Sequence, residues 1–231
     1  MIKFFRTIRK KLIERQNVRK YMLYAIGEIL LVVVGILIAL QINNWNETRK
    51  HQLAEREFLA GINNDLIDDK TFIEFVLNRI EPKMEAFNQM NNEVEWNFTD
   101  DRNDIDRLLG NYLFVGQQTF YPISGSFQSA VSGNEINTYK NKVLIRSIVK
   151  LYHSTYPRLV ENGQILDERW SLLSEKYSRE RRHGRFDQMN GSEFSKILDD
   201  IHFHYIQLQW YQNTLTSSIE EIDRILEKIE Y

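Results

Sequence analysis

The feature that most constrains this chain is an unbroken apolar stretch at residues 22–42, MLYAIGEILLVVVGILIALQI. Thirteen of its 21 residues are Ile, Leu or Val, and Glu28 is its only charged side chain. A bilayer-spanning helix needs about 20 mostly apolar residues. Aliphatic side chains contribute about −0.3 to −0.6 kcal/mol each, which together outweighs the roughly 2.5–3.5 kcal/mol penalty of one ionisable group. Residues 29–40 also have no polar face, unlike a helix of a soluble protein. The stretch therefore predicts a transmembrane helix at residues 21–43.

The charges on either side of this stretch predict its orientation. Residues 1–20 carry eight Lys and Arg against one Glu, a net charge of +7. Residues 44–231 carry 22 Lys and Arg against 30 Asp and Glu, a net charge of −8. Because segments rich in Lys and Arg stay on the cytoplasmic side, we expect a cytoplasmic N-terminus and an exported domain at residues 44–231. The apolar stretch is longer than that of a signal peptide and no A-x-A-like site follows it, so we expect an uncleaved signal-anchor.

The basic leader, residues 1–20, has the pattern of a helix that lies on a membrane surface. Its apolar residues are spaced to fall on one helical face, and basic side chains fill the rest. The alternative is a disordered basic tail that only sets the topology. Four basic side chains are expected to contact the headgroups of an anionic leaflet: Arg6, Arg9, Lys10 and Lys11.

The exported part predicts an all-α domain, an antiparallel helical bundle with long helices. Apolar residues from Leu59 to Ile80 recur at spacings of three and four, and only Asp69 breaks the alternation. Pro82 is expected to end this helix at Glu81, because the residue before a proline disfavours the helical conformation.

The last helix gives the clearest periodic signal. Ten of the eleven ladder positions within residues 194–229 are apolar, and Ser192 is the expected N-cap. Such a stripe is typical of a helix that packs against other long helices in a bundle or coiled coil.

The stretch at residues 116–141 is the least regular part of the chain. It contains several glycines and a proline, but also Phe120, Tyr121 and Phe127, so we expect a packed loop. Helix is expected to resume near residue 142 and to be interrupted or kinked at Pro157.

The residue types argue against catalysis and metal binding. The chain has no cysteine, so an exported domain must be held together by packing alone. His202 and His204 point about 200° apart on a helix and cannot share a metal ion. The sequence lacks the G-x-S-x-G, P-loop, H-E-x-x-H and G-x-G-x-x-G motifs. We therefore expect no catalytic residue, no cofactor and no metal site, and an acidic exported domain argues against a nucleic-acid partner.

Within the predicted transmembrane helix, Glu28 is the strongest candidate for a contact with a protein partner. Ionisable groups inside a span usually face a protein partner or a cavity. Gly35 and Ala39 lie on the same stripe and form a small-xxx-small pattern that lets helices approach closely. The alternative is a protonated Glu28, or one that reaches toward Lys20. Trp45 is expected to be an interfacial anchor where the chain leaves the bilayer.

The run from Tyr24 to Glu47, YAIGEILLVVVGILIALQINNWNE, resembles the N-terminal signature of a widespread bacterial membrane family of unknown function. The preceding MIKFFRTIRKKLI fits the same pattern, and a looser similarity extends to residues 120–122, 129–133 and 142–152. The resemblance implies an inner-membrane protein of Gram-negative bacteria with one span and one exported helical domain. It implies no catalytic residues.

These observations favour a non-enzymatic, single-pass inner-membrane protein whose periplasmic bundle serves assembly or scaffolding. The expected partners are the lipid bilayer and either a membrane or periplasmic protein or a second copy of the chain. Two alternatives stay open. A sensory or ligand-binding bundle would need a polar-lined pocket between helices, near residues 120–127. An ion-coupled subunit would need Glu28 to face a multi-span partner.

Overall fold

The computed structural model describes residues 18–92, 96–184, 186 and 189–230, and this described part is helical with no β-strand. The all-α prediction is therefore confirmed. A 3₁₀ turn at Glu135–Asn137 and a π-helical turn at Leu151–Thr155 accompany the α-helices. The α-helices are α1 (Val18–Met90), α2 (Arg102–Phe114), α3 (Gly125–Ser132), α4 (Lys142–Lys150), α5 (Tyr156–Lys176), α6 (Ser178–His183) and α7 (Gly191–Glu230).

The chain divides into two compact units, residues 1–54 and residues 55–231. In the described part of the first unit, the apolar side chains of α1 are exposed along residues 22–42 except that of Ala25, which is half-buried, as is the charged Glu28. Among the described helices, α1 alone is long and apolar enough to cross a membrane.

The core of the second unit is built on α1, α5 and α7. The ion pair between Lys70 and Asp223, at 2.6 Å, joins α1 to the C-terminal part of α7. The Tyr205 hydroxyl donates a hydrogen bond to Asn88 at 2.6 Å. Asn88 lies after Lys70 on α1, whereas Tyr205 lies before Asp223 on α7. The two helices are therefore antiparallel.

The helices α5 and α7 are also antiparallel, so α5 runs in the direction of α1. Lys176, at the end of α5, pairs with Asp200 at 2.6 Å near the start of α7. The Thr155 hydroxyl, just before α5, donates to Glu221 at 3.0 Å near the end of α7. Each long helix thus buries one face against the other two.

The buried face of α1 continues past Pro82, so the prediction that this helix ends at Glu81 is wrong. A proline inside a helix costs about 3 kcal/mol. Burial of Phe87 and Met90 beyond it contributes about 1.5–3 kcal/mol for each side chain, and Pro82 itself stays exposed. Packing therefore outweighs the local penalty. The buried positions alternate by three and four without a break: Ile62, Leu66, Asp69, Ile73, Val76, Ile80, Lys83, Phe87 and Met90.

The N-terminus of α7 is capped by Asn190, so the prediction of Ser192 as the cap is wrong. The Asn190 side-chain oxygen accepts the backbone N–H groups of Ser192 at 3.0 Å and Glu193 at 3.1 Å. The Glu193 carboxylate accepts the Asn190 N–H at 3.1 Å in return, which completes a capping box.

The buried face of α7 is rotated from the predicted ladder. The predicted positions Ile201, Leu208, Leu215 and Ile222 are each fully buried. The buried face also includes the polar residues His204 and Ser218, which an apolar pattern does not detect. The buried residues outside the predicted ladder include His204, Tyr211, Ser218 and Ile225, whereas the predicted Gln212, Ile219 and Leu226 are half-buried.

Candidate functional site

The segment between α2 and α3, residues 115–124, has no regular secondary structure, and we call it the strap. Its middle, residues 119–120, is buried, whereas Val115, Tyr121 and Ile123 are exposed. Phe120 in the strap and Phe127 just after it are buried, which confirms the prediction of a packed aromatic loop for these two. Tyr121 is 52% exposed, so the prediction was wrong for that side chain. Because buried backbone must pair its polar groups, the strap needs hydrogen-bond partners from the surrounding helices.

Side chains of α5 and α7 supply partners for the middle of the strap. The Thr119 hydroxyl donates to the Asp167 carboxylate at 2.5 Å, and the Phe120 N–H donates to the Tyr211 hydroxyl at 3.1 Å. Gly163 makes room for both, since a β-carbon there would lie 2.7 Å from the Thr119 methyl and 2.8 Å from the Tyr211 hydroxyl. A polar Tyr211 in the buried face of α7 is thus explained by the strap.

The end of the strap is held by α1 and the π-helical turn. The Asp69 carboxylate accepts the Ile123 N–H at 2.8 Å, and the Tyr152 hydroxyl donates to the Ile123 carbonyl at 3.1 Å. Burial raises the pKa of Asp69 to about 6, although the Ile123 N–H and the Tyr156 hydroxyl oppose the rise. The residue that broke the predicted ladder is therefore the anchor of the strap.

A second polar cluster lies at the C-terminus of α2. The Lys83 ammonium donates to the Tyr112 carbonyl at 2.7 Å and lies 5.1 Å from the centre of the Trp170 ring. The Tyr112 hydroxyl lies 2.9 Å from Nδ1 of His204. Burial, with the nearby Arg79 charge, lowers the pKa of Lys83 to about 7. Burial and the Lys83 charge lower the pKa of His204 to about 3, so this imidazole is neutral at physiological pH.

Where the strap ends, a groove of about 450 Å³ opens to solvent. The end of the strap and the start of α3 border one side of it, and the π-helical turn and the first turns of α5 border the other. The principal wall residues are Pro122, Ser124, Phe127, Tyr152, Tyr156 and Glu161.

The floor of this groove is aromatic. The rings of Phe127 and Tyr152 stack at 4.5 Å with an interplanar angle of 6°, and Tyr156 meets Tyr152 edge to face at 5.1 Å. The predicted interruption at Pro157 takes the form of the π-helical turn, in which the Tyr156 N–H donates to the Leu151 carbonyl five residues back. Such wide turns inside α-helices are frequent at functional sites.

The residues predicted as partner contacts lie on the first part of α1. Gly35, Ala39 and Trp45 are exposed, and a β-carbon at Gly35 would meet nothing within 4 Å. Glu28 is half-buried. The contacts of these residues with a partner or with the membrane interface stay predictions. The predicted headgroup contacts lie outside the described residues: Arg6, Arg9, Lys10 and Lys11.

The sequence indicated only the location of the groove, near residues 120–127, and not its lining. Its tyrosines, Tyr152 and Tyr156, were not singled out, although an i, i+4 aromatic pair directly before Pro157 is a recognisable signal. Asp69 carried a stronger signal, because a carboxylate that interrupts an otherwise regular apolar ladder must be buried and paired. In the described residues, no group of three or more His, Cys, Asp or Glu is placed to hold a metal ion.

The fold and the exposed apolar part of α1 define an all-helical protein compatible with a single membrane span. The chain belongs to a family of unknown function, DUF6090, whose model matches residues 28–225. The resemblance of the N-terminal signature to an uncharacterised family is therefore confirmed. Comparisons with curated proteins and with solved structures gave no significant match.

Proposed function

We propose that the protein is a non-enzymatic, single-pass inner-membrane protein whose helical domain, residues 44–231, lies in the periplasm and serves assembly. The observation that supports membrane insertion is the exposed aliphatic surface of residues 22–42. Contiguous apolar surface of this extent is unfavourable in water, and a lipid bilayer covers it while the helix satisfies its own backbone groups. The difference between the +7 leader and the −8 domain supports a cytoplasmic N-terminus.

A pair of reporter fusions tests this topology. An enzyme that is active only outside the cytoplasm should be active when fused after Tyr231, and inactive when fused after Gln16, before the span. The full-length protein should also stay in the membrane after an alkaline wash. An inactive C-terminal fusion that is nevertheless expressed would contradict the proposal.

An exposed apolar stripe on α5 and α7 supports the assembly role. Ile165 and Leu172, seven residues apart on α5, are 42% and 62% exposed. Phe203 and Trp210, seven apart on α7, are 50% and 64% exposed. The Arg169 guanidinium lies 4.4 Å from the centre of the Phe203 ring, so it connects the two helices at the level of the stripe. Aromatic residues and arginine are enriched in protein interfaces, and Trp and Arg often dominate their energetics.

We infer that the exposed stripe packs against the same stripe of a second copy. A twofold interface uses one patch twice, so a single self-complementary stripe is sufficient. Copies anchored in one membrane share an orientation and a confined volume, which raises their effective concentration and allows a modest surface to associate.

Glutamate substitutions test the interface. Leu172→Glu and Trp210→Glu should convert a dimer of the full chain in detergent into a monomer, because each places a charge in the proposed apolar contact. Ser171→Glu and Asn213→Glu are matched controls at exposed neighbouring positions and should leave the dimer intact. Sedimentation velocity over a range of protein concentrations reports the result. A wild-type chain that stays monomeric throughout would contradict self-assembly.

The groove at the end of the strap favours ligand binding as a second candidate function. Its volume falls within the roughly 300–1,000 Å³ of small-molecule sites, and its aromatic floor is preformed.

A further inference from the structure

Several side chains around the groove already donate hydrogen bonds within the protein. The Gln128 amide donates to the Ser124 hydroxyl at 2.8 Å, and the Gln164 amide donates to the Tyr121 hydroxyl at 3.3 Å. The Tyr152 hydroxyl donates to the backbone of the strap. Each amide therefore keeps its carbonyl oxygen as an acceptor for another molecule.

The π-helical turn adds a backbone acceptor at the same place. Pro157 has no N–H group, so in the π register the Tyr152 carbonyl, five residues earlier, receives no hydrogen bond from position 157. Tyr152, His153 and Pro157 all border the groove. The groove therefore offers oxygen acceptors from its side-chain amides and from this turn.

The charge around the groove is negative. Glu161 lies exposed on its rim, and none of the described residues that line it is Lys or Arg. Behind the wall, burial raises the pKa of Tyr152, and the charges of Asp69 and Asp65 raise it further. A carboxylate that opposes ionisation of a neighbouring phenol attracts a cation by the same field.

We propose that this groove binds an organic cation, a primary ammonium group attached to an aromatic or aliphatic body. The three N–H donors of the ammonium group match the acceptors of Gln128, Gln164 and Glu161. The apolar body of the ligand packs against the side chains of Phe127 and Tyr152. This site is separate from the exposed stripe and goes beyond the proposed assembly function.

Three probes of one shape test the proposal on the full chain in lipid nanodiscs at pH 8. Phenethylamine carries the ammonium group, 2-phenylethanol is its neutral analogue, and phenylacetate is its anionic analogue. Saturation-transfer NMR and calorimetry should show saturable binding of phenethylamine after subtraction of empty nanodiscs. Its affinity should exceed that of either analogue by at least about tenfold.

Matched carboxamide variants locate the site. Glu161→Gln should weaken phenethylamine binding about fivefold to tenfold, because it removes the rim charge. Glu168→Gln, one heptad further along α5 at a position that is also exposed but lies outside this groove, should leave the affinity unchanged. Circular dichroism confirms that both variants fold, and Trp210→Glu should disrupt self-assembly without any effect on amine binding.

Three outcomes would overturn the ligand class. One is equal binding of phenylacetate or 2-phenylethanol, and another is an equal effect of Glu161→Gln and Glu168→Gln. The third is the absence of saturable phenethylamine binding up to about 10 mM.

Discussion

Lys83 is fully buried, and its ammonium group ends against the Tyr112 carbonyl in the last turn of α2. Two effects oppose each other at this position. The partial negative charge of a helix C-terminus favours a cation there by about 0.3–2 kcal/mol. Burial disfavours the charged form, and it is the stronger effect, since the pKa of Lys83 falls from 10.5 to about 7. The unfolded chain therefore binds this proton more tightly than the folded protein does.

Lys83→Met should stabilise the protein at low pH and not at high pH. Because the folded-state pKa is lowered, the charge on Lys83 opposes folding below pH 7, and this penalty disappears as the pH rises from 7 to 10.5. The penalty is of the order of a few kcal/mol. Thermal unfolding of the full chain should show a melting temperature above that of wild type at pH 6. The difference should shrink toward pH 10, where neutral lysine keeps its hydrogen bond.

Lys142→Met is the matched control for this prediction. Lys142 also donates to a backbone carbonyl, that of Asn137 at 2.6 Å, but it is exposed. Its replacement should change the melting temperature little at any pH. A Lys83→Met variant whose difference from wild type does not depend on pH would show that Lys83 is not buried in the charged form.

At the level of single residues, the sequence did not predict which polar side chains occupy buried positions of the helices. Asp69 was recognised as a break in the ladder of α1, and Lys83 and His204 were not recognised as ladder positions. Each is almost fully buried because a carbonyl, an N–H group or a hydroxyl from another element reaches it. A purely apolar periodicity does not contain these residue types, and their partners are distant in sequence.

At the scale of elements, α7 carries one line of fully buried aliphatic residues. Leu208→Ala and Leu215→Ala should each destabilise the domain by about 2–5 kcal/mol, since both leucines have no exposed surface. Against a total stability of roughly 5–15 kcal/mol, the melting temperature of each variant should fall clearly, and the double variant should approach unfolding.

The same helix provides the control. Glu220→Ala and Glu227→Ala are changes at exposed positions and should stay within roughly 0.5 kcal/mol of wild type. Asp223 is unsuitable because it pairs with Lys70 at 2.6 Å. If the leucine variants keep the wild-type melting temperature, this line is not a packing face.

The two prolines show why helix ends were harder to predict than helix faces. Pro82 lies in an unbroken α1, whereas Pro157 follows a π-helical turn at the start of α5. A proline carries the same local penalty inside a helix at both positions. The helix continues through Pro82 because buried residues extend the packed face of α1 beyond it. Periodicity reports which face is buried, but only the partner helices decide whether a local penalty is tolerated.

At the scale of the whole molecule, the helical class and the long helices followed from periodicity, whereas the strap did not. Its position depends on hydrogen bonds between residues 29 to 91 positions apart, from Tyr152 with Ile123 to Phe120 with Tyr211. No short-range pattern in the sequence encodes such contacts. The general location of the groove was accessible from the aromatic loop, but its floor and its charge required the fold.

The second compact unit should fold without the span. The buried faces of α1, α5 and α7 and the hydrogen bonds of the strap all lie within residues 55–231. The unit has no cysteine and needs no disulfide. A fragment that starts at Arg49 should therefore be soluble, strongly helical by circular dichroism and cooperative in thermal unfolding. A fragment that starts at Asn91 lacks the core face of α1 and should not fold, because Asp69 and the other buried groups of that helix are then missing. A substantial β signal or obligate aggregation of the longer fragment would contradict the prediction.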